Sequence, residues 1–161
     1  MAAGSHPAWS RLFRRWRRPF LTAEEKELIA KAIGEMESLT SAEIHVHVTS
    51  APAKPDILAL ARRKFFELGL DKTDGRNGVL ILVSHLEHRF AVWGDEGVHA
   101  RAGQPLWEGA RKVLLEDFAR RRYAQGIEAC VRQVGRELAA LFPKRGSAPG
   151  RNQLPDEVSE L

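Results

Sequence analysis

One cysteine, Cys130, is all that a chain of 161 residues carries. A lone thiol cannot form an internal disulfide, so nothing ties the protein to an oxidising compartment. Its place beside Val131 in a helical pattern predicts a small core residue. Long apolar runs are also missing. None approaches the ~18 residues of a membrane-spanning helix, and the N-terminus lacks the continuous apolar core of a secretory signal. A soluble, cytoplasmic protein is the expectation. Several signatures of chemistry are absent too: no G-x-x-x-x-G-K-[ST] phosphate cradle, no G-x-S-x-G nucleophile, no H-E-x-x-H zinc pair and no C-x-x-C. The commonest routes to nucleotide hydrolysis, acyl transfer and zinc proteolysis are thereby excluded.

Acidic residues are absent from residues 1–20, which carry five arginines (Arg11, Arg14, Arg15, Arg17 and Arg18). The whole chain is +4, and the tail from Pro143 onward balances Lys144, Arg145 and Arg151 against Asp156, Glu157 and Glu160. The body between them is slightly acidic, at −1. The high isoelectric point belongs to the arm, so the body is not expected to bind nucleic acid. Within the arm, Trp9, Leu12, Phe13, Trp16 and Phe20 recur at spacings of three or four. On a helix they form an aromatic face surrounded by arginines. Such a face suits the headgroup boundary of an anionic membrane, with Trp9, Phe13 and Trp16 inserted and Arg14, Arg15, Arg17 and Arg18 on phosphates. Phosphate contact with nucleic acid, or simple docking of Trp16 and Phe20 on the body, are the other readings. Three regions result: a basic aromatic arm (1–20), a domain (21–142) and a flexible polar tail (143–161).

Within the domain, Thr22-Ala-Glu-Glu25 has capping-box spacing and opens a helix that should stop near Ser38. Glu43 to Thr49 alternates strictly, placing Ile44, Val46 and Val48 on one face and Glu43, His45, His47 and Thr49 on the other. The H-x-H pair could hold a transition metal, though no third ligand is visible; ordinary strand residues are the simpler reading. Asp56 can cap a second helix, with Gly69 as its stop. Val79 to Val83 is continuously apolar and reads as a strand buried on both faces. Ser84 to His88 is a turn, and Arg89 to Trp93 returns as an antiparallel partner. After Gly94-Asp-Glu-Gly97 a short extended piece to Arg101 reads as an edge strand. Pro105 suits the first turn of a helix that ends at Arg120-Arg121-Arg122. A last helix runs from about Tyr123 to Leu141.

The order α-β-α-β-β-(β)-α-α implies a right-handed crossover with the first two strands parallel. The start of the first strand, the loop before the second and the end of the third then meet at one rim. That rim gathers Glu43, Asp71, Asp74, Arg76, Asn77, Asp95 and Glu96, while His85 and His88 lie at the opposite end. Oxygen ligands of this kind suit Ca²⁺ or Mg²⁺, although the spacing is not that of an EF-hand loop. A solvated acidic loop is the plainer alternative.

Four stretches in this order, T-S-A-E-I-H-V-H-V, R-N-G-V-L-I-L-V, R-F-A-V-W-G-D-E-G-V-H and F-A-R-R-R-Y-A-Q-G-I, resemble the TPM domain family. Its name derives from a thylakoid-lumen protein, a photosystem II repair protein and a modulator of acetylcholine receptors. The resemblance spans roughly Leu21 to Phe142 and is to the short bacterial, non-exported branch. It implies an α/β fold, a three-layer α/β/α sandwich with a central mixed sheet of about four strands. It also implies either a protein-interaction module linked to membrane-protein maintenance, with an unidentified protein partner, or a divalent-cation-dependent phosphatase; some exported members bind Ca²⁺. Where many members read Asp-Asn-Gly, this chain reads Arg76-Asn77-Gly78. A guanidinium at that point competes with a divalent ion and can instead receive a phosphate or carboxylate.

Overall fold

A computed structural model describes residues 19–144 and 158–160. Helix α1 (Ala23–Glu37) begins as expected: Glu25 N–H donates to Thr22 Oγ1 at 3.2 Å, and Thr22 N–H donates to Glu25 Oε2 at 2.8 Å. Strand β1 (Glu43–Thr49), helix α2 (Ile57–Glu67) and a single 3₁₀ turn (Leu70–Lys72) follow. Gly69 ends α2 in the left-handed region at φ 73°, a conformation that a Cβ disfavours. Strands β2 (Gly78–Ser84) and β3 (Arg89–Gly94) form the hairpin, helices α3 (Glu96–Ala119) and α4 (Tyr123–Leu141) come next, and β4 (Val158–Glu160) closes the described chain.

The sheet order is β3-β2-β1-β4. β2 runs parallel to β1 and antiparallel to β3. Central position explains the apolar run: Val79 to Val83 are at most 1% exposed, because both faces of β2 are covered. Val79, Ile81 and Val83 meet α1, α3 and α4 together with Ile44, Val46 and Val48. Leu80 and Leu82 meet Leu60, Ala61 and Phe65 of α2. Helices on both faces of a four-stranded mixed sheet make the expected three-layer α/β/α sandwich. Since α2 lies over β2 and β3, the side of β1 that carries His45 and His47 is not packed with apolar residues, which accounts for its alternation. Gly135 of α4 meets α1 so closely that a Cβ there would lie 2.4 Å from Met36 Cγ.

Two elements differ from the sequence reading. No edge strand follows Gly97. Asp95 is instead the N-cap of α3, and the helix runs from Glu96 to a break at Gly103 (φ 62°, ψ −163°) before resuming through Pro105. The fourth strand comes from within the C-terminal tail, where the sequence reading names no strand, and pairs in parallel with the other edge of the sheet, against β1. The proposed membrane-contact residues Trp9, Phe13, Arg14, Arg15, Trp16, Arg17 and Arg18 lie outside the described residues. Among the described residues no helix is long and apolar enough to cross a membrane. Cys130 is fully buried, which pushes its thiol up to about 12 and leaves it protonated and unreactive.

Candidate functional site

The rim forms where the start of β2 meets the end of β3. Val79 pairs with Gly94, and Glu43 at the start of β1 pairs with Gly78. Asp95 N–H donates to Gly78 O at 3.0 Å, so the residue that caps α3 is fixed beside the loop that precedes β2. That loop is a tight turn. Arg76 N–H donates to Thr73 O at 3.1 Å, and Asn77 N–H donates to Thr73 Oγ1 at 3.0 Å. Arg76 adopts φ 49°, a region that non-glycine residues enter at a cost on the order of 1 kcal/mol.

This turn brings the Arg76 guanidinium onto Asp95 in a two-point pair. Nε donates to Oδ2 at 2.7 Å and Nη2 donates to Oδ1 at 2.9 Å. Asp95 Oδ1 also accepts the Glu96 N–H at 2.8 Å. The Asp95 side chain is only 4% exposed, while that of Arg76 is half-exposed. Burial works against the Asp95 carboxylate, but the Arg76 hydrogen bonds, the Glu96 N–H and the Arg76 charge outweigh it, so its pKa falls below the usual carboxylate range. Arg76 is raised in turn, first by its hydrogen bonds to Asp95 and then by that carboxylate's charge, with smaller contributions from Glu96 and Asp71. Both groups are therefore charged at any ordinary pH.

The sequence-predicted residues separate into two groups. Arg76, Asp95, Glu96 and Asp71 form one electrostatic cluster, with Glu96 Oε2 3.9 Å from Arg76 Nη2. Asn77 is buried beneath it and donates from Nδ2 to Ser41 Oγ at 3.3 Å, a tie to the start of β1, which the topology places at this rim. Asp71 Oδ1 and Asn77 Oδ1 are buried without a hydrogen-bond partner among the described residues. Glu43 is buried at the matching end of β1. Asp74 is exposed in the turn, and none of the described contacts ties it to the cluster. Among the described residues no three His, Cys, Asp or Glu side chains are grouped to hold a metal ion. Ca²⁺ or Mg²⁺ here would compete with Arg76 for Asp95 and would draw its other ligands from Asp71, Glu96 and Asn77. Gly97 packs against this turn: its N–H donates to Arg76 O at 3.0 Å.

The histidines divide as the topology requires. His85 and His88 lie at the far end of the hairpin, where the Phe20 ring stacks on His85 at 5.4 Å and meets Tyr123 at 4.8 Å. His45 and His47 project from β1 on the side of α2, both buried, and share Ser159 Oγ from β4, at 2.8 Å from His45 Nε2 and 2.5 Å from His47 Nδ1. Ser159 was not found by sequence reasoning, since nothing in a polar tail marks three residues as a strand.

Burial pulls the His47 pKa from 6.5 to about 4, with the Lys64 and His45 charges adding to the effect and Glu67 opposing it. The unfolded chain takes up this proton near 6.5, the folded chain only near 4. The stabilising neutral form is fully favourable above about pH 7 and is lost as pH falls through that window. His47 should thus remove on the order of 2 kcal/mol of stability between pH 7 and pH 4 after solvent screening is allowed for. His47→Gln, which can still bond Ser159, should show a correspondingly flatter urea-midpoint profile. Identical profiles for the two proteins would mean that His47 titrates normally.

The sequence signature of the TPM domain matches residues 17–137. Among solved structures, the NMR structure of the BA42 protein from the psychrophilic bacterium Bizionia argentinensis superimposes with a TM-score of 0.81 at 31% identity, over 89% of this chain and 97% of that one. The N-terminal domain of the cg2496 protein from Corynebacterium glutamicum follows at 0.62 and 15% identity, over 80% of this chain and 78% of that one. An N-terminal domain from P. gingivalis gives 0.57 and 20%, over 79% and 83%. The last two share the fold. No curated protein matches the chain.

Proposed function

Since the chain belongs to the TPM domain family, we propose that it is a non-enzymatic interaction module. Its Arg76–Asp95 rim receives an anionic group of a protein partner, and its basic aromatic arm rests on an anionic membrane surface. The observation that carries this reading is the two-point pair of Arg76 with Asp95. A guanidinium already fills the position where a divalent ion would need the same carboxylate. Two bonds to Asp95 leave the rest of its N–H fork for an incoming carboxylate or phosphate, and the side chain is half-exposed. The arm contributes by composition alone: arginines interleaved with Trp9, Phe13 and Trp16.

A divalent-cation-dependent phosphatase is the second reading, favoured by the two buried oxygens Asp71 Oδ1 and Asn77 Oδ1 that have no described partner. One pair of measurements separates the two readings. Calorimetric titration with Ca²⁺ and with Mg²⁺ is expected to show no saturable heat, and p-nitrophenyl phosphate is expected to persist in the presence of either ion. Saturable binding together with hydrolysis that is lost in Asp95→Asn with Glu96→Gln would replace the module by the enzyme. For the arm, flotation with phosphatidylglycerol vesicles should carry the wild type upward, and a variant with Arg14, Arg15, Arg17 and Arg18 all changed to Glu should stay behind. Equal flotation would remove the membrane from the proposal.

A further inference from the structure

The β1 edge of the sheet has an occupant of unusual specificity. Among the described residues, Val158–Glu160 lie along it, opposite Val46, His47 and Val48, and each of the three is met by a different chemistry. Val158 packs against the core on the α1 side. Ser159, pointing the other way as strand alternation demands, places its hydroxyl between His45 Nε2 and His47 Nδ1. Glu160 returns to the α1 side, where its carboxylate pairs with Lys26 Nζ. An apolar side chain, a hydroxyl and a carboxylate are thus read in succession. With β4 in place the two imidazoles are 6% and 1% exposed, so each ring needs a hydrogen-bonding partner in this setting. A hydroxyl can donate to one ring and accept from the other, so it answers both at once.

The occupant is held lightly. Among the described residues it pairs with three of the seven residues of β1, and each backbone hydrogen bond contributes only about 1 kcal/mol net. Its ion pair with Lys26 is partly exposed and worth little. It belongs to the same chain, so its docking is an intramolecular event. A segment with more pairing residues, or one presented at high local concentration, can compete with it.

We infer that the β1 edge is a strand-accepting site for an extended segment of a partner protein with the pattern apolar–Ser/Thr–acidic, and that the chain's own Val158–Glu160 is the resident occupant that masks it. Binding is by addition of a parallel strand. The backbone of β1 supplies the ladder, the His45–His47 pair selects the hydroxyl, and Lys26 selects the carboxylate. The site is separate from the Arg76–Asp95 rim and does not depend on it.

The probe is a fluorescently labelled peptide with the sequence of residues 153–161, followed by anisotropy. The full-length double variant Val158→Asp with Ser159→Pro, whose tail cannot dock, should bind it at least ~10-fold more tightly than the wild type does, because the wild-type site is already filled. A peptide with alanine in place of the serine should lose most of that binding, as should the double variant further changed at His47→Ala. Absence of saturable binding to a folded double variant, or equal binding of the alanine peptide, overturns the inference. If the double variant does not fold, wild-type amide hydrogen exchange decides. Amides of β1 that face β4 should exchange at least ~10-fold faster than those that face β2, since only a local opening is needed. Equal protection would mean that the tail is a fixed strand and not a displaceable one. A concentration-dependent dimer in light scattering that disappears in Ser159→Pro would make a second copy the occupant and would overturn the partner-segment reading.

Discussion

Arg76→Asp is expected to convert the rim from a closed ion pair into a divalent-cation site and to make folding stability depend on that cation. Removing the guanidinium leaves Asp95, 4% exposed, with the Glu96 N–H as its remaining partner. It also adds a carboxylate beside Asp71, Asp95 and Glu96. An uncompensated carboxylate in that setting costs about 3 kcal/mol. The backbone offsets part of this, because at φ 49° aspartate is more easily accommodated than arginine. In chelator the variant should melt roughly 8 °C below the wild type. Calcium should recover most of the loss, since a ligand at about 100 times its Kd stabilises by ~2.7 kcal/mol. Thermal denaturation with and without millimolar Ca²⁺ reads the effect directly. Arg76→Ala is the control: it loses the pair without adding a ligand, so it should be destabilised yet insensitive to calcium. An Arg76→Asp melting temperature that calcium does not move would show that the neighbouring oxygens cannot converge on an ion, and the phosphatase reading would lose its structural basis.

The same two positions mark how far the sequence carries. That Arg76 and Asp95 share a rim followed from topology alone: a parallel β1–β2 pair and a hairpin return force both ends of the β2–β3 unit to one side. The fold was legible for a related reason. β2 is apolar throughout because apolar helices cover both of its faces, β1 alternates because its second face, though buried, meets polar groups such as Ser159, and both patterns are local. The start of α3 was not read. Asp95 with Glu96 is a sound N-cap signal, but Gly103 interrupts the helix before a second apolar turn can build, and Val98-His-Ala-Arg101 then imitates an alternating strand. β4 left no local trace, because three residues in a polar tail become a strand only when His45, His47 and Lys26 are already in place to meet them. The pairing of Arg76 with Asp95 depends on a positive φ at a non-glycine residue, which the turn imposes through Thr73 and which no propensity announces.

Gly97→Ala should be among the most damaging single-methyl changes in the chain, although it places a good helix former in the first turn of a helix. Propensity favours the change by about 1 kcal/mol, and φ at this position requires no glycine. Space decides the outcome. A Cβ on residue 97 would lie 2.6 Å from Arg76 O and 2.8 Å from Gly75 O, where ordinary contact needs at least 3.4 Å. Both oxygens belong to backbone, and the turn that carries them is tied down by Gly97 N–H to Arg76 O, Arg76 N–H to Thr73 O and Asn77 N–H to Thr73 Oγ1. Relief requires the whole turn to withdraw from α3, which breaks the first of these bonds and draws the Arg76 guanidinium away from Asp95. The net loss should be about 3 kcal/mol, a fall of roughly 8 °C in melting temperature. Gly109→Ala is the comparison on the same helix. There the crowding atom is Gln133 Nε2, at the far end of a flexible side chain that can rotate aside, so helix propensity should prevail and stability should rise by about 0.5 kcal/mol. Melting curves of the two variants test the distinction between backbone and side-chain crowding. If Gly97→Ala proved as harmless as Gly109→Ala, the turn would be shown to yield, and the Arg76–Asp95 pair would have to hold its geometry without support from α3.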